Sequence, residues 1–249
     1  VNATPAIAWR LEVFETLGST SDYCIERAKA GEGQGLAVLA LQQTSGRGSR
    51  GRLWQAAPGN LSLSVLLRPE LAAAQAGMFA LLAGVAVADA VRDLIPAHQG
   101  PMLKWPNDIL LDGAKLGGIL IDATPQGEAL DWLVIGIGLN LVHAPAIPGR
   151  RTATLQEHGG EASPRQAAQL VLHHLAAWLQ RFETQGAGAL LTAWQLRAHP
   201  LGTQLAVRTA QTSVSGRFAG LSLTGELLLN VENRIERFQT GEILLGVGG

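Results

Sequence analysis

Gly46-Arg47-Gly48-Ser49-Arg50-Gly51-Arg52-Leu53-Trp54 places three glycines and three arginines within seven residues and closes on a tryptophan. The apolar run Leu36 to Gln43 leads into it, and Asn60 to Leu67, which alternates like a strand, leads out. The chain is thereby committed to a sheet that carries a long cationic loop. Each Arg offers a charged fork for phosphate or carboxylate oxygens, and each Gly lets the backbone approach a ligand with no Cβ in between. A nucleotide is the guest such a loop suits. A P-loop is excluded, because no Gly-Lys-Ser/Thr follows and a strand stands where that motif requires a helix. The competing reading is a solvated basic hairpin loop.

The rest of the chain reads as α+β. A strand is expected at Arg10 to Leu17, then a helix to Ala30, capped by a hydroxyl within Gly18-Ser19-Thr20-Ser21 and ended by the glycine-rich turn Gly31 to Gly35. Helical periodicity covers Leu71 to Ile95. Leu103 to Leu111 and Lys115 to Ala123 flank Asp112-Gly113, a two-residue hairpin turn, and Leu133 to Val142 is a further strand. Ser163-Pro164 starts a helix, a capping residue followed by Pro at the first helical position, that runs to Gly186. A short helix, Ala189 to Arg197, follows. Beyond His199-Pro200, alternating runs at Gln204 to Thr209, Thr212 to Leu221, Gly225 to Val231 and Arg234 to Phe238 predict a small antiparallel barrel. Two domains are expected: residues 1–198, a mixed or antiparallel sheet flanked by helices, and residues 199–249, a small β-barrel.

With 249 residues, one cysteine and a net charge of −1, the chain can hold one full core and a small appendage. Its bases are not concentrated outside the arginine loop, so it lacks the footprint of sequence-independent nucleic-acid binding, and no DNA partner is expected. Cys24 excludes an internal disulfide framework and reads as a small buried hydrophobe in a reducing compartment. Val1 to Arg10 lacks the charged start and apolar run of a signal peptide, which predicts a cytoplasmic protein. Leu71 to Ile95 is rich in Ala, Leu and Val. However, Gln75, Asp89, Arg92 and Asp93 interrupt it, and its uncharged core from Gly77 to Ala88 falls short of the roughly 20 residues a bilayer needs. It is expected to be a core helix, not a membrane span.

Two strands carry chemical signals. If the Asp112-Gly113 turn has two residues, residue 110 lies opposite 115 and 108 opposite 117, so that Asp108, Lys115 and Gly117 share one face. Diagonal neighbours there are about 7 to 8 Å apart, within reach of a common ligand. Lys115 is otherwise a solvated hairpin charge, but the paired glycines Gly117 and Gly118 mark close approach of a ligand or backbone. In Leu133 to Val142 the odd positions are all Leu or Ile, while the even ones include Gly136, Gly138 and Asn140. One face is core and the other has been emptied, which suits either a flat ligand or tight packing against a helix.

The arginine loop, Lys104-Trp105-Pro106-Asn107-Asp108, Lys115-Leu116-Gly117-Gly118-Ile119 and Gly136-Ile137-Gly138-Leu139-Asn140 occur in that order. Together they resemble the Gly-Arg-Gly-Arg-Arg-Gly-Arg, Lys-Trp-Pro-Asn-Asp, Lys-Leu-x-Gly-Ile and Gly-x-Gly-x-Asn motifs of biotin protein ligases, over nearly the whole chain. The resemblance implies a class II synthetase-like catalytic domain with a C-terminal barrel of the Src-homology-3 type. It implies a two-step reaction, in which biotin and MgATP give biotinoyl-adenylate and pyrophosphate, and a lysine of an acceptor protein then attacks the mixed anhydride. Neither step needs a protein nucleophile, and the sequence shows no Ser/His/Asp or Cys/His arrangement to supply one. Catalysis would rest on holding two anions together and neutralising charge at phosphorus.

By position, the resemblance implies that Ser19 and Thr20 bond the ureido group of biotin, with Gln43 completing that end. Arg47 and the backbone of Gly46 would sit where biotin meets phosphate, and Gly117, Gly118, Gly136 and Gly138 would line the pocket. Lys115 would contact the biotin carboxylate and α-phosphate. Arg50, Arg52, Trp54, Asn107 and Asn140 resemble nucleotide-contacting positions, with Trp54 walling the adenine. Asp108 would aid the metal-bound phosphate or handle the incoming lysine, and is otherwise a salt-bridge partner. Lys115, Arg47 and Asp108 are the catalytic candidates. ATP with Mg2+ and biotin are the small molecules implied, no protein metal ligands are expected, and the implied acceptor is a biotin carboxyl carrier domain of a carboxylase. A sheet edge offers a route to a homodimer.

The chain departs from the family pattern at Ser49, where an arginine is usual, and at Ser21, where an asparagine commonly follows Ser-Thr. Loss of a charge-assisted contact at residue 49 predicts looser retention of the adenylate, with Arg50 available to compensate. Only 18 residues precede Ser19, too few for the winged-helix domain of relatives that also repress transcription, and no repressor role is expected. Two rival readings are a lipoate ligase or octanoyltransferase, which lack the arginine loop, and a non-catalytic biotin or nucleotide sensor. His173 and His174 read as helix-surface residues, Trp178 and Trp194 as core, and His143 has no assigned role.

Overall fold

In the computed structural model, which describes residues 7–55, 57–97, 100–209 and 212–245, the chain forms two sheets. The outer ends of the two expected domains, 1–6 and 246–249, lie outside the described residues. The first sheet comprises β1 (Arg10–Leu17), β2 (Leu36–Gln43), β3 (Leu61–Leu67), β4 (Met102–Lys104), β5 (Asp108–Leu111), β6 (Ala114–Gln126) and β7 (Ala129–Leu139), in the order β1-β2-β3-β7-β6-β5-β4. β1 and β2 run parallel because helix α1 (Thr20–Lys29) carries the chain back between them. Every other neighbouring pair is antiparallel.

One face of this sheet packs on α2 (Met78–Arg92), α3 (Pro164–Gln185) and α4 (Ala187–Gln195), which together form the main core. The Ser163 hydroxyl and the Gln166 side chain close a reciprocal cap at the start of α3. The stretch Ala73–Arg92 is apolar and long enough to cross a bilayer, yet 72% of its most apolar 18-residue window is buried inside the protein, as expected of a core helix. Asp89 on α2 accepts from Trp178 Nε1 at 2.8 Å and from Arg197 at 2.6 Å, which satisfies its buried carboxylate and ties the helices together.

Two expected elements differ. The helix expected from Leu71 begins at Met78, because Leu71 O accepts from Leu130 N (3.0 Å) and Ala73 N donates to Glu128 O (2.8 Å), so the first residues of the periodic run are captured by β7. The strand expected at Leu103 to Leu111 is a hairpin of β4 and β5, broken at Trp105-Pro106-Asn107. Pro106 has no N–H to give a ladder.

The second sheet consists of β8 (Gln204–Arg208), β9 (Ser213–Leu221), β10 (Leu227–Val231), β11 (Arg234–Phe238) and β12 (Glu242–Leu245), all antiparallel, in the order β11-β10-β9-β8-β12. β12 is not among the strands expected from the alternating runs. It pairs with β8 rather than with the preceding β11, so no local hairpin signal announces it. Trp105 Nε1 donates to Gly225 O at 3.0 Å, joining the β4–β5 turn to this sheet.

The opposite face of the first sheet is only half covered. α1 buries Cys24 and Ala28 against Leu36, Val38, Leu66, Trp132 and Val134. Beyond the N-terminus of α1, strands β3, β7 and β6 are left without a helix above them, and the candidate site lies there.

Candidate active site

The alternation in β7 builds the floor. Leu133, Ile135, Ile137 and Leu139 are buried in the main core, and Gly136 and Gly138 face the uncovered side. A Cβ on Gly136 would come within 2.6 Å of Ser21 Oγ, and one on Gly138 within 2.4 Å of the Trp54 ring. At the helix end of this slot, Thr20 N donates to Gln43 Oε1 at 2.7 Å, and the Ser64 hydroxyl meets Thr20 Oγ1 at 2.8 Å and Ser21 Oγ at 3.0 Å. Ser19 caps α1 by accepting from Asp22 N. Ser19, Thr20, Ser21, Ser62 and Ser64 are all buried. A cluster of hydroxyls that can donate or accept, beside an amide, suits a neutral polar head group.

The hairpin register differs in part from expectation. Leu110 does lie opposite Lys115, but a bulge after Ile109 puts Asp108 opposite Gly118 and moves Gly117 opposite Ile109. Gly118 therefore lines the slot. Gly117 does not: a Cβ there would strike Gly138 O at 2.3 Å, so it serves strand packing rather than ligand contact. Gly46 does not line the slot either; a Cβ there would meet Trp54 O at 2.6 Å, so it serves packing within the arginine loop.

The arginine loop folds into a small hairpin, with Trp54 N donating to Gly46 O and Gly48 N to Arg52 O. Arg47 lines the slot and is held by Asp22 (2.8 Å) and Asp122 (2.8 Å). Hydrogen bonding to Asp122 raises its pKa further. Arg50 does not fill the place beside Ser49; it turns to Glu242 of β12 at 3.0 Å. Arg52 folds back on Ser49, donating to its backbone oxygen and hydroxyl. Trp54, expected to wall an adenine, instead lies over Gly138 in the slot, which leaves a cavity of about 50 Å3, room for a few waters. Its Nε1 is buried without a partner.

Beyond Ser49 and Asn107 the slot opens into a second cavity of about 610 Å3 between the two sheets. Lys115 lines the slot and pairs with Asp108 on the wall of the larger cavity, which also meets Lys104 at 3.2 Å and Arg150 at 3.7 Å. Burial alone would raise the Asp108 carboxyl, but Lys115, Lys104 and Arg150 outweigh it and hold it below the usual carboxylate range. The Asn107 amide is committed to Ile119 O at 2.6 Å, pinning the turn to β6. Asn140, expected to contact the nucleotide, lines neither cavity; it donates to Ala153 O at 3.2 Å, and its buried Oδ1 has no partner. Among the described residues no three His, Cys, Asp or Glu side chains converge as a metal site would need.

Ser62, Ser64, Asp22, Asp122, Lys104, Arg150 and Glu242 also belong to the site and are not among the expected site residues. Ser62 and Ser64 had a signal, since they alternate with leucines in β3 and must face away from the core. Asp122 and Glu242 had none, because their partners are remote in sequence.

A glycine-floored slot that opens through a buried Lys–Asp cluster into a cationic cleft defines a class: an enzyme built to hold two anions against one another. The sequence model of the biotin/lipoate A/B protein ligase family matches residues 25–196. The biotin–[acetyl-CoA-carboxylase] ligase of Paracoccus denitrificans is 32% identical over 215 residues, covering 84% of this chain and 90% of that protein. The corresponding Mycobacterium tuberculosis ligase is 34% identical over 246 residues, covering 95% and 89%. The structure of the biotin protein ligase from Aquifex aeolicus in complex with biotin and ATP superposes with a TM-score of 0.78 at 26% identity, covering 94% of this chain and 97% of that one. The chain belongs to the biotin/lipoate A/B protein ligase family and is a ligase of its biotin branch.

Proposed function

We propose that this protein activates biotin with MgATP as biotinoyl-adenylate and transfers biotin to a lysine of a biotin carboxyl carrier domain. The observation that carries the reading is the meeting of the two cavities at Ser49 and Asn107, with Lys115 on the slot side paired to Asp108 on the wall of the larger one. With the Trp54 ring swung off Gly138, an acid lying on Gly136 and Gly138, its polar head among Thr20, Ser64 and Gln43, would bring its carboxylate to the end where Lys115 and Arg47 stand. A nucleotide entering the larger cavity would bring its α-phosphate to the same lysine. Both reactants are anionic, so two cations at the junction offset their repulsion and the charge that builds at phosphorus.

Magnesium enters with ATP as its counter-ion. Asp108, surrounded by three cations, serves first to position Lys115. The reading carries ligation without DNA binding, in keeping with a net charge of −1.

A biotin-dependent ATP–pyrophosphate exchange assay, with lipoate and octanoate as competing acids, tests the proposal. Exchange with biotin alone is the expected outcome. Exchange with lipoate or octanoate instead would move the protein to the other branch of the family, and biotin binding without exchange would make it a sensor.

A further inference from the structure

The larger cavity holds more positive charge than the arginine loop accounts for. Arg50, Lys104 and Arg150 on its wall, with Lys115 and Arg208 beside it, are joined through only two carboxylates, Asp108 and Glu242. Lys104, Asp108 and Glu242 are each less than a tenth exposed. Like charges this close are poorly screened away from water. Burial pulls the Lys104 ammonium below its usual range, and Arg150 and Lys115 add to that pull against Asp108. The other carboxylate on the wall, Glu226, is turned to the hydroxyls of Ser222 and Thr224 at 3.0 and 3.2 Å.

Arg150 belongs to the segment that leaves β7 and returns alongside Lys115. Lys115 N donates to Arg151 O and Ala153 N donates to Lys115 O, both at 2.9 Å. The backbone that carries the catalytic candidate therefore also places Arg150, whose guanidinium reaches Asp108 on one sheet and Glu242 on the other. Three guanidiniums, from Arg50, Arg150 and Arg208, meet at the single carboxylate of Glu242. That arrangement is what an anion site looks like when a side chain occupies it.

We infer that Arg150 is a further substrate-binding residue which, with Arg50, seats the pyrophosphate end of the nucleotide, and that Glu242 occupies this seat until a polyphosphate displaces it. The inference rests on the ligase reading. In that reaction an oxygen of the acid's carboxylate bonds to the α-phosphorus as the bond from that phosphorus to the bridging oxygen breaks, its electron pair leaving on pyrophosphate. Two guanidiniums at the leaving group neutralise the charge gathering there.

The test is calorimetric titration of inorganic pyrophosphate with magnesium into the full native chain and into Arg150→Gln, Arg150→Lys and Glu242→Gln, each checked for an unchanged melting curve. Arg150→Gln should weaken pyrophosphate about tenfold or more, Arg150→Lys less, and Glu242→Gln should tighten it. In the exchange assay, KM for MgATP should follow the same order while KM for biotin stays fixed. Equal pyrophosphate affinity in the native and Arg150→Gln proteins overturns the proposal, as does a matching rise in KM for biotin. Weaker binding in Glu242→Gln overturns the role given to Glu242. Pyrophosphate binding that depends on Arg150, in a protein with no biotin-dependent exchange, would sink the ligase reading and leave the anion seat standing.

Discussion

Single atoms decide what the slot admits. Gly138 is occupied from above by the Trp54 indole at 2.4 Å from where a Cβ would be, so Gly138→Ala must expel the ring or block the acid. Biotin affinity measured by calorimetry should fall at least tenfold, with the melting temperature moving by no more than a few degrees. Asp108 carries the clearest pH signature. Its carboxyl is held below the ordinary value of about 3.9, so the unfolded chain binds this proton first as pH falls. The stability Asp108 contributes is complete above that value and is lost on descending through the folded one. Asp108→Asn strands Lys104, Lys115 and Arg150 with less counter-charge, which should cost about 3 kcal/mol at pH 7, and the decline below about pH 4 should become shallower. Urea unfolding across pH 7 to 3 reads both effects. Ser49 accepts from Arg52 instead of offering a charge of its own. Ser49→Arg should slow adenylate release about tenfold, corresponding to about 1.5 kcal/mol or more, in a quench-flow measurement; equal rates would remove Ser49 as the cause of loose retention.

Between elements, the decisive contacts are those that fix where β7 ends. Asn60, just before β3, is buried, and its Oδ1 accepts from Leu141 N, Val142 N and His143 N at 3.0 to 3.1 Å, while its amide donates to His143 O at 2.6 Å. One side chain thus satisfies the backbone of the chain leaving β7, the same segment that goes on to present Arg150 and to cover Asn140. Asn60→Ala would leave buried donors unpaired, at a cost of about 3 kcal/mol, and should raise KM for MgATP because the segment no longer returns to Lys115. A melting shift without any kinetic change would confine Asn60 to stability.

At the scale of the molecule, the second sheet completes the cleft of the first. Trp105 joins them through Gly225 O at 3.0 Å and is buried, so Trp105→Phe keeps the packing and loses one hydrogen bond. The expected loss is about 1 kcal/mol, or roughly 2 to 4 °C in melting temperature for a chain of this size, and a larger drop would show that the sheets separate. The sequence by itself determined the strands that alternate, the helix that Ser163 and Pro164 start, the emptied face of β7, and the residue types around the slot, because period, capping and glycine spacing are local properties. It also carried the family, through four motifs in order. Only the tertiary structure decided that Leu71 and Ala73 join β7 instead of α2, that a bulge hands the slot to Gly118 and not to Gly117, that Trp54 lies on Gly138, and that β12 brings Glu242 to Arg50 and Arg150. The bulge is a backbone irregularity that residue alternation does not record; the others depend on a partner far along the chain, and long-range pairing leaves no trace in local periodicity.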